Sequence, residues 1–415
     1  MSHLVMFTNR YPFRPGEEYL HTEIPYLAQE FDDVTLVPLM PGSSAEHGRT
    51  LPDNTKVIQA DLRQGHIERL RLALRGPHTR GHTAGASRGL ISRLYERYFW
   101  ARSESLAELV GPPLARRLEE VGPPDVIYAY WFYVTTSVPA LLRTSMPEMA
   151  GRPLVARGHG YDVNEAASPV KYLPGRARLL EEVDRLHPTA ETITRRLRGQ
   201  WPDQAHKITT RRLGVRLAGP VARPRAETLR ILSCSSLSPI KRVPLMADAV
   251  AALVDQGHDV RWTHLGTGSP QQVGELNRRI SKLGIQNVVK LPGHVSNDEV
   301  YRILTSGRHH VSLNTSSSES VSFSMSEALG AGLPVVGTDV VGTHEVLHDG
   351  RNGVLLPPNP SASQVAAALL AVWRQPEDTY RAWQRHAVQV CAELFDPDRL
   401  YRAFAADLAH IGRVS

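Results

Sequence analysis

A chain of 415 residues exceeds the length at which one hydrophobic core keeps growing, so two domains are expected. Its composition, 41% hydrophobic and 22% charged, excludes a disordered or fibrous chain; two cysteines far apart, Cys234 and Cys391, exclude a disulfide framework or zinc cluster and read as reduced core thiols. The formal charge of +6 points toward an anionic partner, yet the excess is local: residues 63–102 hold nine arginines against two glutamates, and no nucleic-acid-binding motif accompanies them.

In chain order, His3–Thr8 reads as a buried strand, 18–30 as a helix and 34–38 as a second strand. The start of the chain lacks the basic end and long apolar run of a secretory signal, so a cytoplasmic protein is expected. The arginine-rich stretch, with Gly76-Pro77 and glycines 81, 85 and 89, reads as a mobile loop giving way to a helix near Ile91. Its charge is that of a solvated basic surface; peripheral contact with anionic lipid at the inner face of a membrane, or with a phosphorylated acceptor, stays open. The longest uncharged apolar run, 126–142, is short of a bilayer span and interrupted by Thr135-Thr136-Ser137 and Pro139, so a buried strand over 125–130 and a following loop are expected. Residues 154–157 form a further strand.

A stretch with prolines and glycine, 216–228, reads as a linker between a first domain over 1–215 and a second over 229–395. In the second, strands are expected at 230–233, 259–265, 288–291, 309–313 and 334–337, with helices between. Asp396-Pro397-Asp398, the one Asp-x-Asp, reads as the start of a C-terminal helix over 396–415 packing back on the first domain, and not as a metal site. This alternation makes the fold class α/β: two Rossmann-like domains, each a parallel sheet with helices on both faces, whose strand ends border a ligand cleft.

The most informative run is Ser316-Ser-Ser-Glu319-Ser-Val-Ser-Phe323-Ser324-Met-Ser-Glu327-Ala-Leu-Gly330. It leaves a buried strand over 308–314, crosses a small-residue loop over 315–323 and enters a helix over 324–331 that stops at Gly332-Leu333-Pro334. Such a loop presents backbone N–H groups and the positive end of a helix dipole, a setting that fits a diphosphate. Glu319 is placed to accept hydrogen bonds from sugar hydroxyls and Glu327, further along, from a ribose. Taken alone, the two are equally a solvated loop acid and a helix-face acid.

The run from Glu319 to Glu327, followed by Gly342-Thr343-His344-Glu345 and Asn352-Gly353, resembles the retaining nucleotide-sugar glycosyltransferases of family 4, which have the GT-B fold. Leu237-Ser238-Pro239-Ile240-Lys241-Arg242 is similar to that family's segment after the first strand of the C-terminal domain, Leu265-Gly266-Thr267-Gly268 to its next glycine turn, and Leu291-Pro292-Gly293-His294-Val295 to the strand end beside the nucleotide base. In the N-terminal half, Phe13-Arg-Pro-Gly16-Glu17-Glu18 resembles the first loop of a subset that builds bacterial exopolysaccharides, and Gly158-His159-Gly160-Tyr161-Asp162 the family's His-Gly-x-Asp segment. Alone, His159 reads as a satisfied loop histidine and Gly16 as an ordinary turn residue.

The resemblance implies transfer of a sugar, with retention, from a nucleoside diphosphate sugar to an acceptor hydroxyl, without a metal or other cofactor. It implies catalytic roles for Lys241, Glu319 and His159, and donor contacts from Gly16, Ser236, Arg242, Gly266, Leu291, Phe323, Ser324 and Glu327. Two departures stand out. Ser236 occupies a position where an arginine is usual, which leaves Arg242, or an N-terminal arginine such as Arg157, to compensate, and Ser320 and Ser322 replace the usual glycine and proline of the glutamate loop. The acceptor is a saccharide or glycolipid, or alternatively a soluble natural product. The rivals are a catalytically silent GT-B binding protein and a basic nucleic-acid binder, the second without any interleaved aromatic surface.

Overall fold

The computed structural model describes residues 1–414 apart from 14, 15, 41–47, 59, 61, 63–70, 72, 73, 75–88, 166, 167, 169, 223, 225 and 226. Most of the arginine-rich loop, two residues of the Phe13–Gly16 turn and part of 216–228 therefore lie outside the described residues. The chain forms two compact units, residues 1–213 with 398–415 and residues 214–397.

The first unit is built on β1 (His3–Thr8), α1 (Leu20–Glu30), β2 (Asp33–Pro38), β3 (Thr55–Val57), α2 (Leu90–Val121), β4 (Val126–Ala129), α3 (Val134–Ser145), β5 (Leu154–Gly158), α4 (Arg176–Glu182), β6 (Arg185–Pro188) and α5 (Glu191–Gln200). Its six parallel strands are ordered β3-β2-β1-β4-β5-β6, so the winding reverses between β1 and β4. A parallel sheet must be covered on both faces, and β1 and β4 are accordingly buried along their whole lengths. Leu20, Ile24 and Leu27 of α1 pack in one core cluster with Phe404 and Leu408 of the C-terminal helix, Pro397–Val414.

The run over 126–142 departs from expectation: β4 is followed by helix α3, not by a loop. The hydroxyls of Thr135 and Thr136 both donate to the Trp131 carbonyl, at 2.6 and 2.7 Å, and so open the helix that they were expected to break. Pro139 sits in the second turn, where burial of Val134, Val138 and Leu142 outweighs one missing backbone bond.

The second unit comprises β7 (Leu229–Cys234), α6 (Val243–Asp255), β8 (Val260–Leu265), α7 (Pro270–Lys282), β9 (Val289–Gly293), α8 (Asn297–Leu304), β10 (Val311–Asn314), α9 (Phe323–Gly330), β11 (Val335–Thr338), β12 (Gly353–Leu356), α10 (Ala362–Trp373) and α11 (Glu377–Phe395). Its parallel order, β12-β11-β10-β7-β8-β9, repeats the winding of the first unit and reverses between β7 and β10. Ser269 and Ser361 close capping boxes with Gln272 and Gln364 at the starts of α7 and α10. Trp262 is fully buried, and its indole N–H donates to Ser233 Oγ at 2.8 Å. Asn352, also fully buried, donates to the Val346 carbonyl and accepts from the His348 amide, so it ties the turn into β12. Cys234 and Cys391 are free thiols. Among the described residues no helix is long and apolar enough to cross a membrane.

Candidate functional site

Ligands of doubly wound sheets bind beyond the strand ends where the winding reverses. In the second unit that point lies between the loops that leave β7 and β10, and these two loops are laced together. The Ser317 amide donates to the Ile240 carbonyl at 2.7 Å, and Thr315 Oγ1 donates to the carbonyls of Lys241 and Arg242 at 3.1 and 3.2 Å. Arg242, in a left-handed backbone conformation at φ 50°, sends its guanidinium to the carbonyls of Thr315 and Ser316 and to Asn359. That return contact holds a conformation a non-glycine residue disfavours. Arg242 thus braces the loops from behind.

The lacing brings Lys241 to Glu319: Nζ lies 2.7 Å from Oε1, with the carboxylate side chain only 9% exposed. Asn314, the last residue of β10, lies 3.4 Å from the same Glu319 oxygen and donates at 2.9 Å to Ser322 Oγ. Ser322 is the N-cap residue of α9, but its side chain forms no capping bond to the first turn. Phe323 and Ser324 begin that turn, and Glu327 follows one turn later. Burial raises the Glu327 carboxyl to about 7, an effect that Arg216 partly offsets. The thiol of Cys234, the last residue of β7, is pushed up to about 12 by burial and also feels the charges of Glu327 and Lys241. The serine-substituted loop has a definite path: Gly342, at φ +90°, lies so close to Ser320 that a Cβ there would sit 1.5 Å from the Ser320 carbonyl oxygen.

Ser236 is exposed, and its hydroxyl donates to Ser238 Oγ at 3.2 Å. Gly266, at φ +126°, donates its amide to the Gly293 carbonyl, and a Cβ would lie 2.0 Å from the Ser235 carbonyl oxygen, so only glycine fits this strand end. Leu291 packs half-buried against the core of the unit. Among the described residues no group of three or more His, Cys, Asp or Glu is arranged to hold a metal ion.

His159 and Gly16 belong to the first unit, at its own strand ends. His159 Nε2 lies 2.7 Å from the Tyr130 carbonyl, so Nε2 carries the hydrogen and Nδ1 keeps its lone pair. Burial and the Arg157 charge hold the imidazole neutral, its pKa pushed down to about 3. Asp162 aims the segment by accepting three amide hydrogens, from Phe132, His159 and Gly160, all at 2.9 Å. The Gly16 carbonyl accepts from Arg49 at 3.1 Å.

Two residues beside this segment, Glu17 and Trp131, stand outside the site residues expected from the sequence. The Glu17 carboxylate gathers the amides of Asn9, Arg10 and Tyr11 and the Trp131 indole N–H, at 2.6 to 2.8 Å. Trp131 in turn lies against His159, with ring centroids 4.3 Å apart. The signals in the sequence are the aromatic run 130–133 at a strand end for Trp131, and for Glu17 its place in the segment Phe13-Arg-Pro-Gly16-Glu17-Glu18. Arg157 does not compensate for Ser236: it is fully buried, bonded to Glu23 at 3.0 Å and Tyr128 at 2.7 Å, and covered by the Phe404 ring. Its role is to neutralise Glu23 within the first unit.

Residues 228–375 match the family described as glycosyl transferases group 1. The GtfA subunit of the UDP-N-acetylglucosamine–peptide N-acetylglucosaminyltransferase of Streptococcus gordonii is 29% identical over 37% of this chain and 31% of its own length. A putative colanic acid biosynthesis glycosyltransferase, WcaL of Salmonella typhimurium, is 25% identical over 61% of this chain and 63% of its own. The aligned parts thus span less than two thirds of either relative. Anabaena HepE, solved in complex with UDP and glucose, superposes over 99% of this chain and all of its own with a TM-score of 0.67 at 16% identity. The chain therefore has the GT-B fold, and the part of it that matches the glycosyl transferases group 1 family is residues 228–375.

Proposed function

We propose that this chain transfers a hexosyl group, with retention of anomeric configuration, from a nucleoside diphosphate sugar to a hydroxyl of a saccharide or glycolipid acceptor. The observation that carries the reading is the pairing of Lys241 with Glu319 beside the start of α9, with Glu327 one turn on. Breaking a glycosidic bond to a diphosphate leaves negative charge on the departing oxygen, and stabilising that charge is the main demand on the protein. Lys241 and the amides at the start of α9 supply the positive field. Glu319, released from Lys241 when a diphosphate takes the ammonium, accepts hydrogen bonds from the hydroxyls of the transferred sugar. Glu327 does the same for the ribose.

In this reading Ser236 leaves Lys241 as the main cation toward the diphosphate, while Arg242 acts by positioning the loop that carries it. Gly266 and Leu291 border the base, and Gly16 lets backbone approach the diphosphate. His159, neutral with Nδ1 as an acceptor, takes a hydroxyl of the transferred sugar. Retention follows a front-face course: the departing phosphate oxygen takes the acceptor proton as the new bond forms on the same face. Charge neutralisation by protein groups makes the reaction independent of a metal, so a chelator leaves the rate unchanged. The UDP-N-acetylglucosamine donor named for GtfA supports a uridine nucleotide, and the colanic acid biosynthesis named for WcaL supports a saccharide acceptor.

The test is calorimetric titration with a panel of nucleoside diphosphates and their sugars, on wild type, Lys241→Ala and Glu327→Ala. Selective binding of one base by wild type, weakened at least about tenfold in both variants, is expected. Absence of binding by wild type overturns the reading in favour of a silent scaffold.

A further inference from the structure

The first turns of α2 present an apolar face to solvent. Leu90, Ile91 and Leu94 are 72%, 66% and 50% exposed, so three of the eleven large hydrophobic residues exposed among the described residues fall within five positions. Leu90, Leu94 and Tyr98 follow one another at intervals of four with Ile91 beside them, which places them on one helical face. Arg93 and Arg97, both exposed, run along its edge. The opposite face is the packed one: Ser92, Glu96, Phe99 and Trp100 are buried. The acid of that face does not offset the surface charge, because the Glu96 carboxylate is taken by the Trp100 indole at 2.8 Å and the Gly175 amide at 3.0 Å. Arginines 63, 69, 71, 75, 80 and 88 precede the helix, against a single glutamate, Glu68.

An exposed apolar stripe edged by arginines, next to a basic stretch, is poorly suited to water and well matched to the boundary of an anionic bilayer. Leucine and isoleucine enter the acyl region there while guanidinium groups meet lipid phosphates. We propose that the N-terminal turns of α2, around Leu90, Ile91, Arg93, Leu94 and Arg97, are a docking surface for an anionic lipid membrane. Charge complementarity selects that occupant: a partner that only covered apolar side chains would leave the arginine edge, Arg93 and Arg97, unmatched. The surface is independent of the donor site, and the proposal stands whether or not the transfer reading does.

The test is co-sedimentation of the full chain with vesicles of phosphatidylcholine alone and with one-third phosphatidylglycerol, at about 0.1 M and about 0.5 M salt. Two variants accompany wild type: the triple Leu90→Ser, Ile91→Ser, Leu94→Ser, and the double Arg93→Gln, Arg97→Gln. Wild type is expected to bind only the anionic vesicles and to release them at high salt. The triple variant loses at least about tenfold, and the double variant roughly 25-fold at about fivefold per arginine. Nucleoside diphosphate binding by the variants in vesicle-free solution matches wild type, which reports a folded chain and keeps this outcome separate from the donor-site test. The proposal is overturned if wild type ignores anionic vesicles or if both variants bind them as wild type does. It is equally overturned if the same substitutions abolish self-association or polynucleotide binding in place of vesicle binding.

Discussion

Replacing Glu327 by glutamine is expected to stabilise the second unit while weakening its use of a donor. The carboxyl is raised from 4.5 to about 7 because burial disfavours the charged form. A folded-state value above the unfolded one means that the native protein binds the proton more tightly, so stability contributed by the protonated form is complete below about 4.5 and is lost as pH rises through about 7. At about 1.4 kcal/mol for each tenfold difference in proton affinity, this amounts to about 3 kcal/mol at pH 8 and under about 1 kcal/mol at pH 5. Glutamine has the shape of the neutral acid and does not ionise. Glu327→Gln should therefore raise the melting temperature of this unit by roughly 6–12 °C at pH 8 and by far less at pH 5. Differential scanning calorimetry at the two pH values, with urea denaturation to recover the free energies, reads the effect. Equal melting temperatures for the variant and wild type at pH 8 would show that Glu327 is ionised without penalty, and the argument from burial would fail. Nucleoside diphosphate binding by wild type should strengthen as pH rises from 6 toward 8, since the carboxylate is the form that accepts from ribose hydroxyls, and the glutamine variant should lose that dependence.

Lys241→Ala is expected to lower kcat by about 100-fold or more and to destabilise the fold by about 1–3 kcal/mol, because Glu319 is left buried beside the vacated ammonium; adding Glu319→Ala should recover stability but not rate, as denaturation and steady-state kinetics on the pair will show. Gly342→Ala forces its new Cβ against the Ser320 carbonyl and should displace the glutamate loop, seen as weakened nucleoside diphosphate binding out of proportion to any change in melting temperature. Arg157→Met alone should destabilise the first unit by about 3–5 kcal/mol by stranding Glu23, and the double change with Glu23→Leu should restore most of it; nucleoside diphosphate binding at the second unit stays as in wild type, and an Arg157→Met variant of normal stability with lost donor binding would return Arg157 to the donor site.

Much of the fold is legible in the sequence because a parallel sheet buries both faces of its central strands. The apolar run of β1 marks the strand residue for residue, and β8, β10 and β11 begin within a few residues of expectation. Strands β3, β6 and β12 carry no such run: they are three or four residues long and stand at the sheet edges, where one ladder suffices and the apolar run shortens. Helix α3 is not legible because hydroxyl residues and a proline read as loop signals, and the Trp131 carbonyl before them turns those hydroxyls into helix openers.

For the site, sequence alone determined the local chemistry: a small-residue loop entering a helix start, acids in that loop and one turn into the helix, and a lysine after the first strand of the second half. These follow from neighbours in the chain, where backbone geometry repeats. Tertiary structure decided which groups meet. Lys241 and Glu319, 78 positions apart, become an ion pair because β7 and β10 are adjacent strands whose loops leave the same edge. Arg157 becomes a core residue and not a phosphate ligand because Glu23, 134 positions away, and Phe404 of the C-terminal helix close over it. Glu17 becomes a clasp for three amides only through the return of its loop onto the end of β1. Burial and partner choice are properties of contacts remote in sequence, so no local pattern encodes them.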